Sequence, residues 1–203
     1  LLERGADSSV NARGKSNVPR DYGTPLQLAV RYGHAEIVGL LAAAGARLDV
    51  PMHNGWSPLK FAANEGKLEV VKGLVAGGAD IDSIDEKGRT PLFSAVGWGH
   101  VAICEFLIAN DASISIVDRS GDTVLSRAAH WGHTKVAAML IHAGAVIDQR
   151  GSGGETPLMI ASRQGHRATA QLLIDKGADV KLTDHEGRSV RSYACMAPGR
   201  ALE

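Results

Sequence analysis

The chain has 203 residues, and its 22 Lys or Arg residues balance 22 Asp or Glu residues, so its formal net charge is zero. A neutral chain lacks the basic field that non-specific nucleic-acid binding needs and the polybasic clusters that recognise anionic membranes. Only 4% of the residues are aromatic, so a core must be built mainly from Ala, Leu, Val and Ile.

Cysteine spacing and hydropathy indicate the cellular setting. The two cysteines, Cys104 and Cys195, lie far apart and belong to no CxxC pair, which argues against a disulfide framework and against a zinc site. No apolar run approaches the length of about 18 residues that a membrane-spanning helix needs. We therefore expect an intracellular protein that is not inserted in a membrane, in the cytoplasm or alternatively in the nucleus.

The chain begins inside a helical unit. The pair Leu1-Leu2 matches the later pair Leu172-Leu173 of a second helix, which predicts that the opening unit lacks its first helix. The loop that follows, with an insertion around 13–19, is longer than its later counterparts. Because there is no initiating Met, we expect this sequence to be part of a longer protein.

From residue 24 onward, several sequence features recur with a step of 33 residues. The first is a Thr or Ser that is usually followed by Pro, at Thr24-Pro25, Ser57-Pro58, Thr90-Pro91, Thr123-Val124 and Thr156-Pro157. Thr and Ser are good N-caps, and Pro suits the first helical position because its missing N–H would have no partner there. Each occurrence therefore predicts the start of a short first helix.

A second recurring feature is the Gly that ends this first helix, at Gly33, Gly66, Gly99, Gly132 and Gly165. Gly adopts the left-handed conformation that terminates many helices. A second helix is predicted to begin at the next residue, and in its first occurrence Ile37, Val38, Leu40 and Leu41 form an apolar stripe at helical spacing. A further Gly then ends this helix before a polar loop leads to the next unit.

The period divides the chain into five full units and two partial ones. We predict a single domain over 1–203 in which units 1 to 5 span 24–56, 57–89, 90–122, 123–155 and 156–188. Residues 1–23 form a partial unit with a long loop, and residues 189–203 form a partial C-terminal unit. No unit can bury its apolar faces alone, so stacked neighbours must share a continuous core.

This pattern resembles the ankyrin repeat family, whose signature has the same period and begins T-P-L-H-x-A. The resemblance implies an all-α solenoid of stacked helix-loop-helix units with β-hairpin-like loops. One departure affects every full unit, because the signature His is replaced by Gln27, Lys60, Phe93, Ser126 and Met159. This departure puts in doubt the hydrogen bonding between repeats that this His supports in the family.

Two residues are predicted to weaken individual units. Gly73 takes the place of the apolar Leu40 in unit 2, and Gly inside a helix costs roughly 0.5–1 kcal/mol relative to Ala. Asp111 replaces the Gly that ends the second helix of the other units, and Asp tolerates a positive φ less well than Gly. We expect Gly73→Leu to stabilise the chain.

The sequence offers no catalytic or metal-binding pattern. Four of the eight histidines follow a helix-ending Gly, where we interpret them as structural: His34, His100, His133 and His166. Ser126, His130 and Asp148 are the residue types of a catalytic triad, but their spacing does not place a base beside an activated nucleophile. We therefore predict no metal, no cofactor and no enzymatic activity.

Members of the family generally bind partners with their loop tips and with the exposed face of the first helix. Carried over to this chain, the resemblance selects as partner-binding residues Trp98, Trp131, Tyr32, Trp56, Arg89, Glu65, Arg31, His130 and Arg163. Trp98 and Trp131 occupy the same position in adjacent units, and packed helices lie about 8–10 Å apart, so their rings are expected to be direct neighbours. Trp is also enriched at binding hot spots.

Two functions remain open. The leading hypothesis is a protein–protein interaction module that binds a partner protein or peptide through its concave face and loop tips. The alternative is a structural or spacer segment of a longer ankyrin solenoid in a larger receptor, channel or scaffold protein, in which the Trp rings only seal the stack. Neither involves nucleic acid, and both leave the oligomeric state open.

Overall fold

The structure is a computed structural model that describes residues 10–11, 23–52, 54–151 and 153–196. The predicted opening unit with its long loop lies almost entirely outside these residues, as does the end of the chain. Within the described residues there are eleven helices: α1 (Pro25–Tyr32), α2 (Ala35–Ala43), α3 (Pro58–Asn64), α4 (Leu68–Ala76), α5 (Pro91–Trp98), α6 (Val101–Ala109), α7 (Val124–Trp131), α8 (Thr134–His142), α9 (Pro157–Arg163), α10 (Arg167–Asp175) and α11 (Val190–Met196).

The first helix of each full unit begins at the predicted N-cap. In α1, α3, α5, α7 and α9 the N-cap hydroxyl accepts the backbone N–H of the residue three positions later. At Thr24 the capping is reciprocal, because its Oγ1 accepts the Gln27 N–H at 3.2 Å and the Gln27 side chain accepts the Thr24 N–H at 2.7 Å. Each such cap stabilises its helix by about 1 kcal/mol. Because few residue types can form it, the start of each first helix can be predicted from the sequence.

Adjacent units are joined by a repeated hydrogen bond. In units 2 to 5 the residue after the helix-ending Gly reaches a backbone carbonyl of the preceding unit: Lys67 Nζ to Arg31 O, His100 Nε2 to Asn64 O (3.1 Å), His133 Nε2 to Gly97 O (3.3 Å) and His166 Nε2 to His130 O (3.0 Å). Gly99 shows why Gly precedes this contact, since its φ is 70° and a Cβ would lie 2.7 Å from the His133 ring. The structural interpretation is confirmed for three of these histidines, whereas His34 in unit 1 is exposed.

A continuous apolar core runs through the stack. The Leu of each N-cap motif is buried: Leu26, Leu59, Leu92, Leu125 and Leu158. The second helices add Leu74, Leu107 and Leu140 to the same core. No helix in the described part of the chain is long and apolar enough to cross a membrane.

The apolar stripe predicted for α2 is only half buried. Val38 and Leu41 lie in the core, but Ile37 and Leu40 are 47% and 59% exposed. Gly73 is the equivalent of Leu40 in unit 2, and a Cβ there would lie 3.5 Å from Val38 Cγ1 of α2, so this position faces the preceding second helix. The equivalent residues of units 3 to 5 are half-buried against the core: Phe106, Met139 and Leu172. The stabilisation expected for Gly73→Leu stays a prediction.

Each loop closes in a tight turn. In unit 2 the Asp85 N–H donates to Arg89 O at 3.2 Å and the Gly88 N–H donates to Asp85 O at 2.9 Å. Among the described residues, strand-type pairing is limited to one isolated antiparallel bridge between Thr183 and Ser189. The prediction of an all-α repeat solenoid is confirmed. The boundaries of units 1 to 5 stay a prediction.

The backbone at Asp111 is strained as expected. Its φ is 63°, in the left-handed region that Gly occupies at the same position of other units. A residue with a Cβ pays a steric cost in this conformation that Gly avoids. The end of α6 is therefore a weak point of unit 3.

Candidate partner-binding site

A cavity of about 360 Å³ opens where the first helices α3, α5 and α7 meet the turns that precede them. Its walls include the aromatic rings of Trp56, Phe93, Trp98 and Trp131, and its cationic groups are Arg89 and Arg127. We call this space the Trp cavity. It brings together four of the predicted partner-binding residues: Trp56, Arg89, Trp98 and Trp131.

Two tryptophans form the most exposed part of the cavity wall. Trp98 is 62% exposed and Trp131 is 49% exposed. Trp98 Nε1 donates to Asn64 Oδ1 at 2.7 Å, whereas the Trp131 ring meets the His130 ring edge-on with centroids 5.0 Å apart. Both rings line the same cavity, and their direct contact with each other stays a prediction. Each ring is turned toward a polar neighbour of its own.

An ion-pair network holds Trp56 and Arg89 at the cavity edge. Lys60 Nζ lies 2.7 Å from Asp85 Oδ2, and these two side chains are only 1% and 4% exposed. Arg89 contacts the same carboxylate at 3.2 Å, and Lys60 Nζ also donates to Arg89 O at 3.0 Å. The Lys60 ammonium lies 5.2 Å from the centre of the Trp56 ring. The turn of unit 2 is therefore fixed by charge as well as by backbone bonds.

The network places one carboxylate between two cations. Burial opposes ionisation of Asp85, but hydrogen bonds from Lys60 and from the backbone N–H groups of Arg89 and Lys87 lower the pKa of its carboxyl to about 2. Burial lowers the pKa of Lys60, and the contact with Asp85 acts in the opposite direction. At neutral pH the buried carboxylate is thus ionised and faces two cations.

Two of the residues at the signature His position form hydrogen bonds to a turn. Gln27 Nε2 donates to Pro51 O, and Lys60 Nζ donates to Asp85, so both side chains reach the turn that leads to the next unit. Hydrogen bonding from the signature position, which the loss of the His put in doubt, is therefore present for these two residues. In units 3 to 5 the position is taken by Phe93, Ser126 and Met159, for which the structure shows no bond to the turn.

Arg127 is a cavity residue that the sequence did not predict. Its guanidinium carbon lies 5.7 Å from the centre of the Phe93 ring and 5.5 Å from that of Trp131. Its Nε is buried and has no hydrogen-bond partner, and no described carboxylate lies within ion-pair distance. Burial lowers the pKa of Arg127 and the charge of Arg89 lowers it further, against weaker opposing effects of Asp122 and Asp118. Arg127 is therefore a partly desolvated cation.

A sequence signal for Arg127 existed. The same position holds Leu28, Phe61, Ser94 and Ile160 in the other full units, so a lone basic residue stands where apolar or small side chains are otherwise found. Phe93 was also missed, because its contribution depends on a contact with the following unit. This contact joins residues about one repeat apart, which spacing within a unit does not reveal.

Three predicted residues lie outside the cavity lining, toward the N-terminal side. Tyr32 is 58% exposed at the end of α1, and its ring centre lies 6.3 Å from that of His34. Arg31 is half-buried beside it, and its carbonyl accepts the bond from Lys67 described above. Glu65 is exposed and accepts a bond from Asn64 Nδ2 at 3.2 Å. Their role in binding stays a prediction.

The remaining two, His130 and Arg163, lie on the C-terminal side of the cavity. The His130 ring is 3.3 Å from Gln164 Nε2, and burial together with the charges of Arg127 and Arg163 lowers the pKa of His130. Arg163 pairs with Glu155 at 3.2 Å. The neutral form of His130 is therefore favoured, and a paired Arg163 adds little net charge to this side.

The described residues do not assemble the triad considered from sequence. The Ser126 hydroxyl donates within its own helix start, His130 contacts Gln164, and the Asp148 carboxylate accepts the Asp179 N–H at 3.0 Å. No group of three or more His, Cys, Asp or Glu among these residues could hold a metal ion. Burial raises the pKa of the Cys104 thiol to about 12, so it is unreactive at neutral pH.

Fold and cavity together define a helical repeat protein, in which pairs of helices and the turns between them stack on one another. A model of the family described as Ankyrin repeats (3 copies) matches residues 1–85, 62–151 and 112–184. The chain therefore belongs to the ankyrin repeat family, whose members are generally protein–protein interaction modules and typically not enzymes. No curated protein matches its sequence.

Proposed function

We propose that this chain is a non-enzymatic interaction module, and that it binds a segment of a partner protein in the Trp cavity. The observation that carries the proposal is the convergence of all three tryptophans of the chain on one cavity. Trp56, Trp98 and Trp131 come from positions far apart in the sequence, and only stacking of the units brings them together. We also propose that the protein acts in the cytoplasm or in the nucleus.

Exposure of two of the three tryptophan rings supports binding. Trp98 and Trp131 remain about half or more exposed to solvent, although each could bury a large apolar area. A contiguous apolar surface on a protein tends to mark an interaction site, and Trp is enriched among the residues that dominate binding energy. A partner side chain that enters the cavity would remove these rings from water.

The surroundings of the cavity also suit a partner segment. Arg89 is fixed by Asp85 at one edge, and Arg163 is paired with Glu155 beyond the other. Binding hot spots usually combine aromatic anchors at the centre with a polar rim that stays hydrated. The cavity therefore has the composition expected for an apolar anchor of the partner within a polar border.

The experiment is a selection of peptides from a display library of random linear sequences on the purified protein, followed by affinity measurement on the best synthetic peptide. Trp98→Ala and Trp131→Ala are each expected to weaken binding by about 2 kcal/mol, as truncation of hot-spot residues does. Ile84→Ala is the matched control, because Ile84 is 65% exposed and lies outside the Trp cavity. Tyr32→Ala shows whether the site extends to unit 1.

The spacer function has one observation in its favour. The bond from Trp98 Nε1 to Asn64 Oδ1 joins unit 3 to unit 2, so this ring also contributes to stacking. If that were its only role, Trp98→Ala would lower the free energy of unfolding, and selection would yield no peptide sensitive to Trp131→Ala. This result would favour a structural segment over a binding module.

A further inference from the structure

We propose that Arg127 is a receptor for one carboxylate, supplied by an Asp or Glu side chain of the partner segment whose neighbouring apolar side chain fills the Trp cavity. The inference rests on the proposed function and specifies the chemistry of the partner. It assigns a role to a residue that the sequence pattern did not select.

The first argument is that the Arg127 charge is not matched inside the described part of the protein. The other cationic side chain of the cavity, Arg89, contacts Asp85 at 3.2 Å. Arg127 has a buried Nε without a hydrogen-bond partner, and Asp122 and Asp118 act on it only from beyond ion-pair distance. Because Nε is closed off from solvent beside Gly97, a bound acceptor would meet the terminal nitrogens of the guanidinium, for which the described residues provide no hydrogen-bond acceptor either.

The second argument is the position of the guanidinium. It lies against the rings of Phe93 and Trp131, at 5.7 and 5.5 Å from their centres, and it lines the cavity with them. Contact with two rings places the charge in an apolar setting, where an ion pair is screened less than at the surface. A carboxylate that reached it would be next to the space where an apolar side chain fits.

The third argument is the number of free guanidinium groups. Of the two arginines in the cavity lining, Arg89 is already bonded to Asp85 through its Nε and Nη2, so Arg127 is the one that can offer hydrogen bonds to a ligand. The planar fork of Arg suits two parallel hydrogen bonds to a carboxylate. A phosphate group carries close to two negative charges and would favour several cations with free hydrogen bonds. Charge and geometry therefore point to Asp or Glu of a protein segment.

The test uses peptides from the same selection. We expect them to contain an acidic residue beside an apolar or aromatic one, and replacement of that acid by its amide should weaken binding to the wild-type protein about tenfold or more. Arg127→Met should weaken binding of the acidic peptide to a similar extent, and it should bind the acidic and amide peptides alike. Arg127→Lys keeps the charge but not the planar fork. Its affinity for the acidic peptide should therefore lie between those of the wild-type protein and Arg127→Met.

The control is Arg167→Met, which removes one positive charge from an exposed position of α10 and should leave affinity unchanged. Peptides that bind without an acid, lose affinity in Trp98→Ala and are insensitive to Arg127→Met would overturn the carboxylate receptor while the binding function stands. Peptides that bind only when phosphorylated would overturn it as well. If no peptide binds the wild-type protein, both proposals fall.

Discussion

Two cations of this protein are withdrawn from water, and they differ in what they face. Lys60 is 1% exposed and is 2.7 Å from the carboxylate of Asp85, which Arg89 also contacts. Arg127 lies against two aromatic rings, and the described residues supply it with no hydrogen bond. The two positions are about two repeats apart and both lie in first helices.

The difference teaches how to separate structural from binding residues in a repeat protein. A buried cation with a full set of partners holds its own turn in place, and removing it leaves the partner charge buried alone. A partly buried cation without partners adds little to folding, and its charge is available to a ligand. On this reasoning Lys60 belongs to the fold and Arg127 to the site.

The largest expected effect is on stability. Lys60→Met should lower the free energy of unfolding by about 3 kcal/mol, because it leaves Asp85 buried with one cation fewer. Arg127→Met should change it by less than about 1 kcal/mol, since only the ring contacts of the guanidinium are lost. Urea unfolding of both variants measures the contrast. Equal losses would mean that Arg127 is as structural as Lys60, and the comparison would fail.

The second effect is on the pH dependence of stability. The folded-state pKa of Asp85 is about 2, below its ordinary value of 3.8, so the ionised form stabilises the fold. This contribution is complete above about pH 5 and is lost as the pH falls toward 2, and it amounts to about 2 kcal/mol. Asp85→Asn should flatten the stability profile in this window. The pKa of Asp184 is lowered as well, so some slope remains.

An unchanged profile in Asp85→Asn would show that the Lys60 ion pair is not what makes the fold acid-sensitive. The matched comparison is Asp184→Asn, whose carboxylate caps a turn and accepts bonds from Arg188 and Tyr193. If only Asp184→Asn flattens the profile, the charge network of unit 2 is less important than its burial suggests.

The smallest expected effects come from two glycines of unit 2, where α4 packs on α2. Gly73→Ala should raise the free energy of unfolding by roughly 0.5–1 kcal/mol, because the new Cβ would lie at an ordinary 3.5 Å from Val38 and the helix gains a better former. Gly77→Ala should instead lower it by about 1 kcal/mol, since its Cβ would lie 2.7 Å from Ala42 Cβ. Thermal unfolding of the pair distinguishes them, and a common sign would contradict this packing.

Much of the fold could be predicted from the sequence because its signals are local. The N-cap at Thr24 and the left-handed Gly99 each act within one helix end, and the period repeats them in register. The face of Leu40 could not be read in the same way, because it depends on how closely α2 and α4 approach. That Gly73 lies close to Val38 of α2 becomes visible only when the positions of the two helices are known.

The site was less predictable because its contacts cross between units. Trp98 and Trp131 followed from their repeat position, yet the partner of each ring is a polar side chain that the position does not indicate. The pairing of Lys60 with Asp85 lies within unit 2, but it joins the first helix to a turn that comes only after the second helix. Arg127 needed both Phe93 of the preceding unit and Trp131 of its own unit to become a partly buried cation.

The most direct test of the central claim uses the three tryptophans, which are all in the Trp cavity. Each indole Nε1–H gives one resonance in a ¹⁵N-resolved NMR spectrum, and single Trp→Phe variants assign them. Titration with a selected peptide should shift or broaden the signals of Trp56, Trp98 and Trp131 together, in proportion to the bound fraction. Saturating binding that leaves the Trp98 and Trp131 signals unmoved would place the binding site elsewhere and contradict the account.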